Sequence, residues 1–157
     1  MIMECKRNKD ISDEFANELF NMFLETMGTM AENSQSYKGI FTDEFKKNWI
    51  NKLKTNENEK VLLVYDDSKL AAFVIVLELE NETFIQDFHI KKEYQGDGKT
   101  FRFIISEGAK NVDITKELTG DIWIVNGHSR DVFKHIGARF EDGKFRLKFD
   151  VLAKWLS

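Results

Sequence analysis

Apolar residues return every four positions at Phe15, Leu19, Phe23 and Met27, with Phe20 beside them. That spacing lays one apolar stripe along a helix. Ser12 offers an N-cap oxygen, and Asp13 and Glu14 put negative charge in the first turn, so a helix is expected to run to about residue 30. "AENSQSYKGI" breaks the period with polar residues, and residues 31 to 40 read as a loop. A second helix begins after Thr42, with Asp43 and Glu44 in its first turn. It turns Phe45, Trp49, Ile50 and Leu53 inward and dissolves in "KTNENEK".

From Lys60 the period changes. "VLLVYD" and "LAAFVIVLELE" are rich in β-branched and aromatic residues, and Asp66-Asp67-Ser68-Lys69 between them is a turn signal. The second run is apolar on both alternate sets from residue 70 to 77, as a central strand covered on both faces requires. Asn81-Glu82 turns the chain into "TFIQDFHI", and the three strands are expected to form an antiparallel meander. Phe101, Ile104, Ile105 and Gly108 then mark the buried stripe of a helix over residues 99 to 110. "DIWIV" reads as a short buried strand and "HSRDVFKHIG" as a brief helix closed by Gly137. "ARFEDGKFRLKF" is a hairpin with Asp142-Gly143 at its tip.

The order is helix, helix, three strands, helix, strand, helix, hairpin. It fits one α/β (α+β) domain over residues 1–157, built on a mixed, mostly antiparallel sheet with helices on both faces. Only the passage from "TFIQDFHI" through the following helix to "DIWIV" suits a parallel crossover.

Composition changes this picture little. The chain is 42% hydrophobic and 32% charged, ordinary for a globular domain. Its net charge of −4 argues against nucleic acid or anionic lipid and slightly favours cationic partners such as amines. Cys5 stands alone, cannot close an internal disulfide, and reads as an incidental thiol near a frayed terminus in a reducing cytosol. "MIMECKRNKD" puts charges where a signal peptide would be apolar, and no window approaches the ~18 apolar residues of a membrane span. A cytoplasmic protein without metal, membrane or nucleic-acid partner is expected, and a homodimer is compatible with the sequence.

Candidate chemistry begins at "EYQGDGKTFRF", where Gly98-Lys99-Thr100 ends like a P-loop. That motif needs a glycine five positions before Gly98, and Glu93 stands there. A carboxylate would repel phosphate, so a nucleoside triphosphate site is set aside. Another phosphate still fits. A strand precedes the stretch and a helix follows, and free N–H groups at a helix start favour an anion. Lys91, Lys92, Lys99 and Arg102 outnumber Glu93 and Asp97 locally, and Gly96 and Gly98 carry no Cβ to hold a phosphate away. A glycine-containing turn flanked by solvated lysines remains the alternative.

"IKKEYQGDGKT" resembles the acetyl-CoA pyrophosphate motif of the GNAT superfamily of N-acetyltransferases, V-x-P-x-[YF]-[QR]-G-x-G-[IV]-[GA]. Ile90, Tyr94, Gln95, Gly96 and Gly98 match, while Lys92 replaces the proline and Thr100 the last small residue. "NGHSRDVFKHIGARF" resembles the family's N-x-x-A-x-x-x-Y-x-x-x-G-[AF] segment through Asn126, Ser129 and Gly137-Ala138. The order of elements agrees over essentially the whole chain, which implies a GNAT-like fold.

The resemblance implies acetyl-CoA as cosubstrate and an amine as acceptor. Gln95, Gly96, Asp97, Gly98, Lys99 and Thr100 would hold the pyrophosphate. Phe88, His89 and Ile90 would offer backbone groups to the pantetheine arm, a backbone N–H there would polarise the thioester carbonyl, and Asn126 would hydrogen-bond the arm. Ser129 and Phe133 belong to the same cofactor-binding set. Two proton-handling positions depart from the family. Gln86 stands where many relatives carry a basic glutamate, and Phe133 where a tyrosine often protonates the thiolate. Asp87, which simple alternation places on the face opposite Gln86, and His128 are the substitute catalytic candidates, with His89 a further one. The loop around residues 31 to 41 and the open end of the sheet would set the acceptor. A weakly catalytic module that binds acyl-CoA or a protein partner is the alternative.

Overall fold

A computed structural model describes residues 1–122 and 127–157. In chain order its elements are β1 (Ile2–Arg7), α1 (Asp13–Glu32), α2 (Asp43–Thr55), β2 (Glu59–Asp66), β3 (Lys69–Glu78) and β4 (Glu82–Ile90). There follow α3 (Lys99–Gly108), β5 (Glu117–Asp121), α4 (Gly127–His135), β6 (Arg139–Glu141), β7 (Lys144–Leu147) and α5 (Phe149–Leu156). The strands form one sheet in the order β1-β2-β3-β4-β5-β7-β6. Every neighbouring pair is antiparallel except β4 with β5, the expected crossover through α3.

The capping residues act as their chemistry suggests. Ser12 and Thr42 side chains accept from Phe15 N–H and Phe45 N–H, opening α1 and α2. β3 is buried continuously from residue 70 to 76, because its two faces meet two separate cores. Leu19, Phe20 and Phe23 of α1 and Leu53 of α2 pack with Val61, Leu63, Phe73 and Ile75 on one face. Ile104 and Ile105 of α3, Phe133 of α4 and Leu152 of α5 pack with Leu62, Val64, Val74 and Val76 on the other. Asp142 and Gly143 both have positive φ (50° and 81°), which is the two-residue hairpin turn expected there.

Three elements differ from the sequence reading. The N-terminus is not frayed: β1 pairs with β2 from Ile2↔Tyr65 to Arg7↔Lys60. As an edge strand it carries charges among its few apolar residues, and so looks polar in isolation. The last residues form α5, which follows the hairpin and returns Leu152 to the core. Finally, the strand expected at "DIWIV" is Glu117–Asp121, with the sequence "ELTGD". Asp121 ends it, Ile122 follows, and residues 123 to 125 lie outside the described residues. Glycine in a strand interior usually argues against the strand. Here it is required, because a Cβ on Gly120 would stand 2.5 Å from the Phe145 ring and 2.9 Å from the Ile85 carbonyl.

Candidate functional site

The parallel pairing of β4 with β5 runs only from Glu82↔Glu117 to Ile85↔Gly120. β5 ends at Asp121, whereas β4 continues to Ile90. Among the described residues, 86 to 90 therefore have no partner in β5, and the two strands part at the middle of the sheet while β4 stays paired with β3. A β-bulge falls at the same point, since Ile75 pairs with Asp87 and Val76 with Ile85, leaving Gln86 as the extra residue.

That bulge corrects the expected alternation. Gln86 and Asp87 both turn toward the helices α1 and α2 instead of to opposite faces. Lys52 Nζ of α2 donates to Gln86 Oε1 at 2.6 Å, while Asp87 Oδ1 lies 2.9 Å from His89 Nε2. His89 is 4% exposed and Asp87 8%. The His89 ring packs at 5.3 Å from Phe23 and 5.0 Å from Phe73, and its Nδ1 lies 2.6 Å from Thr26 Oγ1. Thr26, His89 and Asp87 thus form a continuous polar line inside an aromatic core. The line ends at Asp87 on the surface of a cavity.

The cavity has a volume of about 540 Å³ and opens where β4 and β5 part. Phe23, Phe41, Phe45 and Trp49 form one side; Phe88, Phe133 and Phe145 form the other. Gln86, Asp87, His89, Asp121 and Ser129 supply most of its polar lining. Phe133 is 7% exposed and stacks on Phe145 with centroids 4.5 Å apart, edge-on to Phe88 and Phe101. It serves as packing and presents no proton donor. Behind Gln86 lies Glu59, 1% exposed, with no hydrogen bond to either oxygen among the described residues. Lys52 Nζ stands 3.9 Å from its Oε1. Burial pushes the Glu59 carboxyl up to about 7, against the lowering effects of the Lys52 ammonium and the Gln86 carboxamide, with Asp87 adding to the rise.

At the far end of β4 the chain enters the glycine turn. Gln95 Nε2 donates back to the Ile90 carbonyl at 2.7 Å, which ties the turn to the strand. Gly96 and Gly98 take φ of 107° and 74°, and a Cβ on either would meet nothing within 4 Å. The space above the turn is open, and positive φ alone demands glycine. Gly98 is the N-cap of α3. The Asp97 carboxylate accepts from the Lys99 N–H at 3.0 Å, so that donor is already engaged. Thr100 is buried, its hydroxyl directed at Met1 Sδ, which leaves only its backbone for a ligand. Arg102 stacks over Trp155 of α5 at 4.4 Å.

The structure thus brings Asp87, Phe88, His89, Ser129 and Phe133 to one cavity, and Ile90 joins it to the turn of residues 95 to 100. His128 is exposed on α4 and does not line the cavity. Asn126 lies outside the described residues. Sequence reasoning missed Thr26 and Glu59. Thr26 adjoins the apolar stripe of α1, and Glu59 lies in a polar tract, so neither had a local signal.

No family model and no curated protein matches the chain. Solved structures do match. The PaiA N-acetyltransferase from Thermoplasma acidophilum in complex with coenzyme A is 16% identical, with a TM-score of 0.58 over 94% of this chain and 98% of its own. A GNAT-family acetyltransferase from Streptococcus agalactiae is 12% identical, with a TM-score of 0.66 over 93% and 95% of the two chains. A ribosomal-protein-alanine N-acetyltransferase from Brucella melitensis is 15% identical, with a TM-score of 0.59 over 90% and 94%. The chain has the GNAT fold.

Proposed function

We propose that this GNAT-fold chain is an acetyl-CoA-dependent N-acetyltransferase acting on an amine in the cytosol. The observation that carries the reading is the parting of β4 from β5 after Ile85 and Gly120. Among the described residues, the second half of β4, from the cavity to the glycine turn, keeps β3 on one edge and has no partner in β5 on the other. Such a strand presents backbone groups to an extended amide-bearing arm, and the turn offers open space and a helix start to a pyrophosphate. The coenzyme A bound to the Thermoplasma acidophilum structure of the same fold supports that assignment.

In this reading the chain contributes placement and electrostatics. A backbone N–H of residues 88 to 90 stabilises the oxyanion as the amine attacks the thioester carbon. Asp87 accepts the proton of the attacking amine, held in place by His89, which is in turn held by Thr26. Phe133 offers no acid, so the thiolate departs as such and is protonated by water, a tolerable route for a good leaving group. The same two features, Gln86 for a base and Phe133 for an acid, favour the second reading of a binding module with little turnover.

Thermal unfolding and thiol release test both. Acetyl-CoA at about 100 times its dissociation constant should stabilise the protein by about 2.7 kcal/mol, and ATP with magnesium by far less. Gly98→Val should remove that protection while costing about 1–3 kcal/mol of left-handed strain. Asp87→Asn should keep the protection and lower kcat/KM by about 10²-fold or more. Protection by ATP alone would overturn the reading. Protection by acetyl-CoA with no thiol release for any amine would select the binding module.

A further inference from the structure

The aromatic side of the cavity is built in a way that the transferase reading does not require. Phe23 comes from α1, Phe41 from the loop after it, and Phe45 and Trp49 from successive turns of α2. Phe41 meets Phe23 and Phe45 edge-on, with centroids 5.0 and 4.9 Å apart, and Phe23 lies 5.6 Å from Trp49. Edge-to-face rings brace one another and hold a rigid apolar surface. Opposite it, Asp87 stands at the cavity surface with its Oδ1 paired to His89.

The charges are as asymmetric as the shape. The carboxylates lining the cavity, Asp87 and Asp121, both come from strands, β4 and β5, and none comes from the aromatic side. Lys52 of α2 also lines the cavity, but its Nζ reaches across to Gln86 of β4 at 2.6 Å and leaves no charge among the rings. A ligand spanning the cavity therefore finds negative charge for one ammonium at the strand end. Its other end meets rings, where none of the carboxylates among the described lining residues stands to hold a second cation. A polyamine's second ammonium or a sugar's hydroxyl groups would find rings and no carboxylate at that end.

We propose that the acceptor is a monocationic arylalkylamine, its ring against Phe23, Phe41, Phe45 and Trp49 and its amino group at Asp87. The proposal deepens the transferase reading and rests on it for the chemistry, but the ring site binds whether or not turnover follows. Burying a phenyl group against such a surface favours an aromatic over a polar acceptor by about tenfold to a hundredfold.

The test compares phenethylamine with spermidine, glucosamine and an alanyl peptide, by thiol release and by calorimetry on the protein saturated with CoA. Phenethylamine should have at least about tenfold higher kcat/KM and affinity than each of the others. Phe41→Ala, on a loop outside the helices, and Phe45→Ala should each raise KM or Kd for phenethylamine about tenfold while leaving CoA affinity unchanged. The unchanged CoA affinity reports a folded protein. Equal or better use of spermidine or glucosamine would overturn the proposal and leave the transferase reading intact, as would phenethylamine binding untouched by both substitutions. With no turnover of any amine, selective calorimetric binding of phenethylamine would still uphold the ring site, and its absence would overturn it. Loss of CoA binding by the unmodified protein would overturn the transferase reading instead.

Discussion

Glu59 opens β2 with a buried carboxyl that lacks a hydrogen bond among the described residues. Burial raises it from 4.5 to about 7, so the folded chain holds that proton more tightly than the unfolded chain does. The sign follows: its stabilising share is complete below about pH 4.5 and is lost as pH rises through about 7. At about 1.4 kcal/mol per unit the loss approaches about 3 kcal/mol. Glu59→Gln keeps the shape and removes the ionisation. In urea unfolding, the variant should match the parent near pH 4.5 and exceed it by up to about 3 kcal/mol at pH 8. A stability difference independent of pH would mean that the carboxyl does not titrate in this range. Gln86 and Lys52, which line the cavity, share this environment.

At the scale of elements, β5 decides the geometry of the site. It is short, contains Gly120, and is wedged between β4 and β7. Gly120→Ala would drive a methyl into the Phe145 ring and the Ile85 carbonyl, and the carbonyl cannot yield without moving β4. A loss of about 1–3 kcal/mol is expected from such overpacking. Because Ile85 is the last β4 residue paired with β5 among the described residues, the proposed acetyl-CoA protection in thermal unfolding should fall as well. Loss of stability with unchanged cofactor protection would mean that the parting point tolerates displacement. The ion pairs around this junction act in the same place: Lys144 reaches both oxygens of Glu82 at 3.0 Å, and Lys144 is the main reason that carboxyl titrates below its usual range.

For the whole molecule, the notable join is between the chain ends and α3. Met1 lies against Thr100, and α5 carries Leu152 into the core and Trp155 onto Arg102. The helix whose start forms the glycine turn is therefore held by both termini. Leu152→Ala should cost about 2–5 kcal/mol, the range for a buried leucine. Its effect on the melting temperature should be additive with that of Phe41→Ala, because the two residues belong to cores on opposite faces of the sheet. Strong coupling between them would indicate that the two cores behave as one.

Periodicity and capping alone determined much of this protein. The four-residue spacing of α1, the caps Ser12 and Thr42, the doubly apolar β3, the Asp142-Gly143 turn and the glycines at 96 and 98 are local signals, complete within a few residues of chain. Their forces act over the same distance, through hydrogen bonds to the next turn and the steric needs of single φ angles. Other features depended on partners far along the chain. β1 is a strand because β2 offers it an edge, and "ELTGD" is one because β4 and β7 pair with it on either side, with Phe145 and Ile85 leaving no room for a Cβ at Gly120. The bulge at Gln86 reversed the side on which Asp87 was expected, since register is set by pairing with β3 and not by alternation within β4. Thr26, Glu59 and the aromatic side of the cavity joined the site in the same way. Their chemistry is plain in the sequence, but their neighbours are chosen only when two helices close over a sheet whose central strands part.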